Sequence, residues 1–305
     1  MADNEQNIKR GFNIYWYYWT LVALAGFILI NYFLRDIKIE GLDLGLMISV
    51  VSFLFGFLVT ITFSMILSKM LSLKDSLSNE TGRLTSLYLL SKNLGNDFHK
   101  KITERIDKYT IDTLRDYTKY ETGRDSIYGM YDDVKHMEIK NNVQQTNADS
   151  FMYILGEFQP VREKLEYLTG NRLEWSLKLS TYLLGGILVI LLFLNRGDLF
   201  TNLIFIILST IIIFIFLIIE DYDDLRIGDY DINISNSEQI FDLIGRDRYY
   251  PQSVLSRAKL IKGKSYRIGF YDSVLKQEQT FNITYGPSFG LKIGKLLKKV
   301  KRDGE

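Results

Sequence analysis

The chain of 305 residues is 47% hydrophobic and 14% aromatic and has only three prolines, a composition that favours apolar helices in a bilayer. Its formal net charge of +1 provides no overall attraction to nucleic acid or to an acidic substrate. Without cysteine the chain has no disulfide, no thiolate nucleophile and no thiolate metal site, and its two histidines leave little material for a histidine metal cluster.

Four apolar segments are long enough to cross the roughly 30 Å hydrocarbon core of a bilayer as helices. They cover residues 14–34, 44–68, 177–194 and 199–219. The two short connections carry only Arg35, Lys38 and Arg196 as basic residues, whereas lysines and arginines are more numerous beyond the opposite ends. Because basic residues are retained on the cytoplasmic side, we expect a multi-pass protein of the plasma membrane with cytoplasmic N and C termini.

This pattern divides the chain into four parts. Residues 1–68 form an N-terminal segment and a first transmembrane hairpin, 69–176 a cytoplasmic helical domain, 177–219 a second hairpin, and 220–305 an acidic linker with a C-terminal region. In the second part, apolar residues recur at helical spacing with charges between them, as expected for amphipathic helices that pack a core. The stripe consists of Leu84, Leu87, Leu94, Phe98, Ile102, Ile106 and Tyr109.

The last part is predicted to contain a little β structure. The segments KSYRIGFYD and QTFNITYG, residues 264–272 and 279–286, alternate as short strands do. The final segment, LKIGKLLKKVKR, is predicted to be a basic helix or tail. It could bind anionic lipid headgroups or simply be solvated, and nothing around it indicates recognition of nucleic acid.

One enzyme-like motif occurs near the C-terminal end. Residues 286–290, Gly-Pro-Ser-Phe-Gly, formally match a nucleophile elbow. That fold places its catalytic histidine after the serine, whereas His99 and His136 both precede it. No Walker loop, dinucleotide-binding fingerprint or H-E-x-x-H motif is present. We therefore interpret the segment as a turn and do not expect an enzyme.

The second apolar segment carries a stripe of small and hydroxyl-bearing residues. They recur every three or four positions, at Gly45, Ser49, Ser52, Gly56, Thr60 and Ser64. Such residues let neighbouring membrane helices approach closely. They could equally line a water-filled pore, narrowed by Phe53 and Phe57. No charged residue lies between Leu44 and Ser68, and the electropositive rim of an aromatic ring tolerates an anion without a fixed charge.

The run Ser52-Phe53-x-x-Gly56-Phe57-x-Val59-Thr60-x-x-x-Ser64 resembles the neck helix of bestrophins, the pentameric anion channels. By this resemblance Phe53 and Phe57 match two hydrophobic constriction positions, and Ser49 stands where a branched aliphatic residue is usual. The implied pore and neck residues are Ser49, Phe53, Gly56, Phe57, Thr60 and Ser64. Residues 79–84, Asn-Glu-Thr-Gly-Arg-Leu, are more similar to the divergent prokaryotic bestrophin-like membrane proteins.

The resemblance implies a mainly α fold: a four-transmembrane-helix subunit with a helical cytoplasmic region and a small C-terminal β-containing part. It also implies a homo-oligomeric, pentameric ion channel that conducts anions, chloride foremost. Two alternatives stay open on the residues alone. The protein could be a non-conducting membrane scaffold or signalling protein, or a cation channel on the same architecture.

An acidic cluster follows the fourth apolar segment. In calcium-activated bestrophins a similar run contributes to a calcium clasp, so the resemblance makes calcium a possible cofactor here, held by Glu220, Asp221, Asp223 and Asp224. The cluster is not an EF-hand loop, because the sixth position counted from Asp221 is Arg226 where that loop needs glycine. The alternative is a hydrated, acidic exit from the bilayer that pairs with basic residues.

Overall fold

The structure is a computed structural model. It describes residues 14–34, 44–115, 123–170, 173–223, 229–252, 255, 258, 260–272 and 277–286. The basic tail 291–302 and most of the motif at 286–290 lie outside the described residues. The chain divides into a first unit, residues 1–68 and 172–226, and a second unit, residues 69–171 and 227–305.

The described chain is mainly helical, with a small sheet near its end. The helices are α1 (Ile14–Phe33), α2 (Leu44–Ser91), α3 (Asn96–Arg115), α4 (Arg124–Lys135), α5 (Asn142–Gly170), α6 (Trp175–Leu194), α7 (Leu199–Asp223) and α8 (Asp229–Leu243), with a 3-10 turn at Lys92–Leu94. The strands are β1 (Arg248–Pro251), β2 (Ser265–Asp272) and β3 (Gln277–Thr284).

The first unit contains the apolar helices. Three helical stretches, with their apolar windows in α2, α6 and α7, are long and apolar enough to cross a membrane. The apolar stretch of α1, Tyr17–Phe33, is shorter. Buried side chains of α2, α6 and α7 form a common core made of Phe55, Leu188, Leu192, Phe205 and Ile212.

Two local features hold this unit together. Gly185 of α6 lies so close to α7 that an added Cβ would overlap the ring of Phe216. Arg196, in the connection after α6, is buried, and its guanidinium lies 3.8 Å from the ring centre of Phe193. The same guanidinium donates hydrogen bonds to Asn31 Oδ1 at 3.3 Å and to the carbonyl of Leu34 at 2.8 Å. It therefore links the end of α1 to the α6–α7 connection.

The second unit begins where α2 becomes polar. Charges recur along α2 from Lys69 onward, and the helix continues to Ser91, so one helix contributes to both units. The predicted apolar stripe is confirmed as core, because all of its members from Leu84 to Tyr109 belong to one buried cluster that also includes Phe151, Leu155 and Phe158 of α5. An ion pair between Arg83 and Glu157, 3.1 Å, joins α2 to α5.

The C-terminal part forms a three-stranded sheet in the order β1-β2-β3. The strand β2 pairs in parallel with β1 and antiparallel with β3. Arg267 of β2 attaches the sheet to α3 through two hydrogen bonds to the carboxylate of Asp107, 2.7 and 2.6 Å long. Both strands predicted from the sequence are present, within two residues of the expected bounds.

Two elements of this part were not predicted from the sequence. Helix α8 lies where we expected only an acidic linker, and β1 precedes the two predicted strands. The buried residues of α8 do recur at helical spacing, at Ile234, Ser237, Ile240 and Phe241. The apolar face is short and is interrupted by Ser237, so the sequence signal is weak, and α8 packs against α3 and β1.

Candidate functional site

Within the first unit, α2 has one face that packs against α6 and α7. Phe55 is 6% exposed and lies edge-on to Phe216 of α7, with ring centres 6.3 Å apart. Two and three turns further along, Thr62 and Ile66 are also buried. The Thr62 hydroxyl oxygen is 3.3 Å from that of Thr181 in α6. Because the Thr181 hydroxyl donates to the carbonyl of Leu177, Thr62 is the donor and Thr181 the acceptor in this contact. This face fixes the rotation of α2 within the unit.

The predicted neck residues lie on the rest of the helix surface. All six side chains or backbone positions, Ser49, Phe53, Gly56, Phe57, Thr60 and Ser64, are exposed in the single chain. Phe53 is 74% exposed and Phe57 is 58% exposed. The structure therefore brings the predicted set to one accessible surface, which we call the α2 neck face. Phe33 and Phe200 of the same unit are exposed to a similar degree, so the combination of rings with small residues, and not exposure alone, distinguishes the neck face.

Two hydroxyls of the neck face are satisfied by the helix itself. Ser49 Oγ donates to the carbonyl of Gly45 and Thr60 Oγ1 donates to the carbonyl of Gly56, both at 2.8 Å. A serine or threonine bonded in this way needs no partner from another helix. The face can therefore contact lipid, water or a second copy of the chain. Its distinguishing feature is the alternation of small residues with phenylalanine rings.

The neck face is also uncharged. No acidic or basic residue occurs from Leu44 to Ser68, and the first basic residue beyond it is Lys69. A passage lined by this face would consequently act on an ion through its width, its hydration and the edges of its phenylalanine rings.

The predicted acidic cluster takes a different form. Lys178 of α6 is 7% exposed and its Nζ donates to Asp223 Oδ2 at 2.9 Å and to Glu220 Oε2 at 2.6 Å. Asp223 also accepts the backbone N–H of Leu173, and the Tyr182 hydroxyl donates to Glu220 Oε1 at 2.8 Å. Of the four predicted carboxylates, Glu220 and Asp223 are thus brought together around an ammonium group.

This arrangement does not favour a metal at Glu220 and Asp223. Both carboxylates already have a positive partner, and calcium requires six to eight oxygen ligands. Among the described residues, no three acidic or histidine side chains are grouped so that they could hold a metal ion. Asp221 is buried at 8% exposure, and Asp224 lies outside the described residues. Calcium binding by the cluster as a whole stays a prediction.

Sequence reasoning did not identify the ammonium partner. In the sequence, Lys178 is one of many basic residues near the ends of the apolar segments, a pattern that indicates only the orientation of the helices. The position of Lys178 within an apolar segment did indicate that it has a partner, since a lysine inside an apolar helix usually has a specific one. The partner itself could not be identified, because Asp223 is 45 positions away along the chain.

Comparison with known proteins identifies the family. A model of the Bestrophin-like domain matches residues 20–235. The fold is similar to that of a bacterial bestrophin homolog from Klebsiella pneumoniae, whose crystal structure obtained by zinc phasing superposes with a TM-score of 0.57 at 11% identity over 76% of this chain and 98% of that chain. A single-residue variant of that homolog gives a TM-score of 0.56 at 12% identity, with 76% and 99% coverage. No functionally curated protein matches this chain. Because the domain match covers more than half of its length, the chain belongs to the Bestrophin-like family of membrane proteins.

Proposed function

We propose that this protein is the subunit of a homo-oligomeric, pentameric ion channel that conducts anions, chloride foremost, across the plasma membrane. The neck faces of several α2 helices surround a common axis, and Phe53 and Phe57 form its narrow hydrophobic section. In this arrangement α1, α2, α6 and α7 cross the bilayer, and both termini and the second unit are cytoplasmic. The protein is not an enzyme.

One observation carries this proposal. The neck face is the side of α2 that does not pack within the subunit, and it carries two phenylalanines a single turn apart with 74% and 58% exposure. A helix face that only contacts lipid does not require phenylalanine rings to alternate with glycine and hydroxyl-bearing residues. Around an axis the small residues leave room for water, and the rings close the passage by dewetting.

The proposed selectivity for anions depends on the absence of fixed charge. A ring of acidic side chains would favour cations, and α2 has none from Leu44 to Ser68. Phenylalanine rings that turn their electropositive rims toward the axis stabilise a passing anion.

The central test is ion flux through the purified protein in liposomes. Replacing Phe53 and Phe57 together by alanine widens and hydrates the constriction, so we expect flux to rise several-fold above that of the wild type. Phe200→Ala is the matched control, because it removes a ring of similar exposure, 69%, from the start of α7. Equal and negligible flux in the wild type and both variants would instead indicate the scaffold or signalling alternative.

The permeant ion and the number of subunits need two further measurements. Reversal potentials across a chloride gradient should follow the chloride equilibrium potential, and those across a potassium gradient should not. The opposite pattern would indicate the cation channel. Particle images viewed along the membrane normal should show five subunits with α2 nearest the centre.

A further inference from the structure

The core of the second unit contains a carboxylate that is not needed for packing. Glu80 of α2 is 7% exposed and accepts a hydrogen bond from the Tyr109 hydroxyl of α3. Burial raises the pKa of Glu80 to about 7, although the bond from Tyr109 and the charge of Arg162 act in the opposite direction. An acidic residue in such a site changes its charge near neutral pH.

The cation whose charge acts on this carboxylate, Arg162, is incompletely bonded. Arg162 of α5 is 4% exposed, and its Cζ lies 5.9 Å from the ring centre of Tyr109. Its Nη2 donates to Glu166 Oε1 at 3.0 Å. Its Nε and Nη1 are buried and have no hydrogen-bond partner. Buried guanidinium N–H groups are seldom left in this state, because each unmade bond has an energetic cost.

We propose that Glu80 and Arg162 form a proton-controlled switch in which Arg162 changes partner. The structure shows Arg162 bonded to Glu166, and we assign this arrangement to the state in which Glu80 is protonated. When Glu80 loses its proton, Arg162 turns its two unpartnered nitrogens toward the new carboxylate and releases Glu166. The switch binds one proton and converts that event into a change in how α5 is attached to α2.

The surroundings of Glu166 permit this exchange. Glu166 also accepts a hydrogen bond from Arg124 of α4, 2.7 Å long, so it keeps a positive partner after Arg162 leaves. Glu166 is therefore never left as an isolated charge. The attachment of α4 to α5 persists in both states, and the change is confined to the contact between α5 and α2.

Charged side chains elsewhere on α2 and α3 are already engaged. On α2 itself, Arg83 bonds Glu157 at 3.1 Å, and on α3 Asp112 bonds Arg115 at 3.1 Å. Among the described side chains of α8, those that line the cavity beside Glu80 are uncharged, namely Asn236, Ser237 and Ile240. Among the groups that the structure describes around the carboxylate, Arg162 is therefore the cation with donors available.

Space for a water molecule adjoins the carboxyl group. A cavity of about 10 Å³ adjoins Glu80 and is lined by polar side chains of α2, α3 and α8. Its lining includes Thr81, Thr110, Thr113, Asn236 and Ser237. A polar cavity of roughly this size accommodates one water molecule, which can carry a proton to and from the carboxyl group.

The first test measures proton binding in the full-length protein in detergent. Infrared spectra recorded across pH 6 to 8 should show a protonated carboxyl band that disappears near neutrality in the wild type and is absent in Glu80→Gln.

The pH dependence of the unfolding equilibrium provides a second measurement of the same proton. Because the folded-state pKa is raised, Glu80 stabilises the fold at low pH and this contribution is lost as pH rises toward 7. Relative to Glu80→Gln, the unfolding equilibrium constant of the wild type should rise about 30-fold between pH 5.5 and 8.5.

The second test addresses the exchange of partners and leaves Glu80 in place. Glu166→Gln weakens the bond that competes for Arg162, so the Glu80 band should titrate at lower pH, with proton affinity reduced about tenfold or more. Glu163→Gln is the matched control, since Glu163 is an exposed carboxylate on the same helix whose side chain bonds Gln159. A titration that is the same in the wild type and Glu166→Gln would overturn the exchange. A wild-type spectrum without the band would overturn the proton site.

The consequence for ion flux rests on the proposed function, because α2 carries both Glu80 and the neck face. A wild-type channel should show flux that changes between pH 6 and 8, and Glu80→Gln should remove that dependence. The proton switch and the ion channel can be refuted independently of each other. A titrating band without any flux would refute the channel and retain the switch, whereas flux without a titrating band would refute the switch and retain the channel.

Discussion

Replacing Lys178 by methionine removes a buried charge while keeping a side chain of similar length. The Lys178 side chain is 9% exposed, and that of its partner Asp223 is 2% exposed. Without the ammonium group, the Asp223 carboxylate stays buried with a backbone N–H as its remaining described donor. Breaking a buried pair in this way costs about 3–5 kcal/mol of unfolding free energy. Glu220 adds little to this figure, because its side chain is 50% exposed.

The predicted loss of unfolding free energy can be compared with the effect of replacing an exposed lysine of the same chain. Lys164 pairs with Asp75 at 3.8 Å, and the two side chains are 49% and 65% exposed. Lys164→Met should therefore change the unfolding free energy by about 0–1 kcal/mol. Both variants are compared with the wild type by denaturant titration in the same detergent.

A double variant tests the reason for the loss. Lys178→Met combined with Asp223→Asn leaves no unpaired buried charge, and the asparagine oxygen can still accept the N–H of Leu173. It should recover most of the stability that Lys178→Met loses. The reasoning is refuted if Lys178→Met is no worse than Lys164→Met, or if the double variant is less stable than Lys178→Met alone.

Two more predictions concern packing and the attachment of the sheet. Gly185→Ala should lower the unfolding free energy by about 1–3 kcal/mol, because its Cβ would overlap the ring of Phe216, while Gly186→Ala, with no atom within 4 Å, should be nearly neutral in the same titration. Arg267→Ala should raise hydrogen exchange in β1 and β2 about tenfold or more, because it removes two charge-assisted hydrogen bonds to Asp107. An equal loss of unfolding free energy in Gly185→Ala and Gly186→Ala would contradict the packing argument. Unchanged amide hydrogen exchange in the sheet of Arg267→Ala would contradict the attachment argument.

Much of the architecture could be predicted from local patterns. Hydropathy located the apolar windows now found in α2, α6 and α7, and helical spacing located the core stripe that begins at Leu84. The strands β2 and β3 were likewise found from alternation. These signals succeed because burial in a membrane or a core acts on every residue of a long segment, so the pattern repeats.

The residues that form the α2 neck face could also be predicted from the sequence. Helical geometry places Ser49, Phe53, Gly56 and Thr60 near one another whatever the helix packs against. The tertiary structure added that Phe55 and its neighbours occupy the opposite, packed side, which leaves the neck face accessible. An accessible face could not be inferred from spacing alone, since it depends on where α6 and α7 lie.

Only the tertiary structure decided which charges meet. In sequence, Glu80 is one more acidic residue on a polar helix and Lys178 one more basic residue at a membrane boundary. Folding buries both, places Tyr109 and Arg162 around the first, and places Glu220 and Asp223 around the second. The physical reason is that hydropathy reports the average preference of a segment, whereas the partner of a buried charge is selected by the positions of side chains that are tens of residues away in the chain.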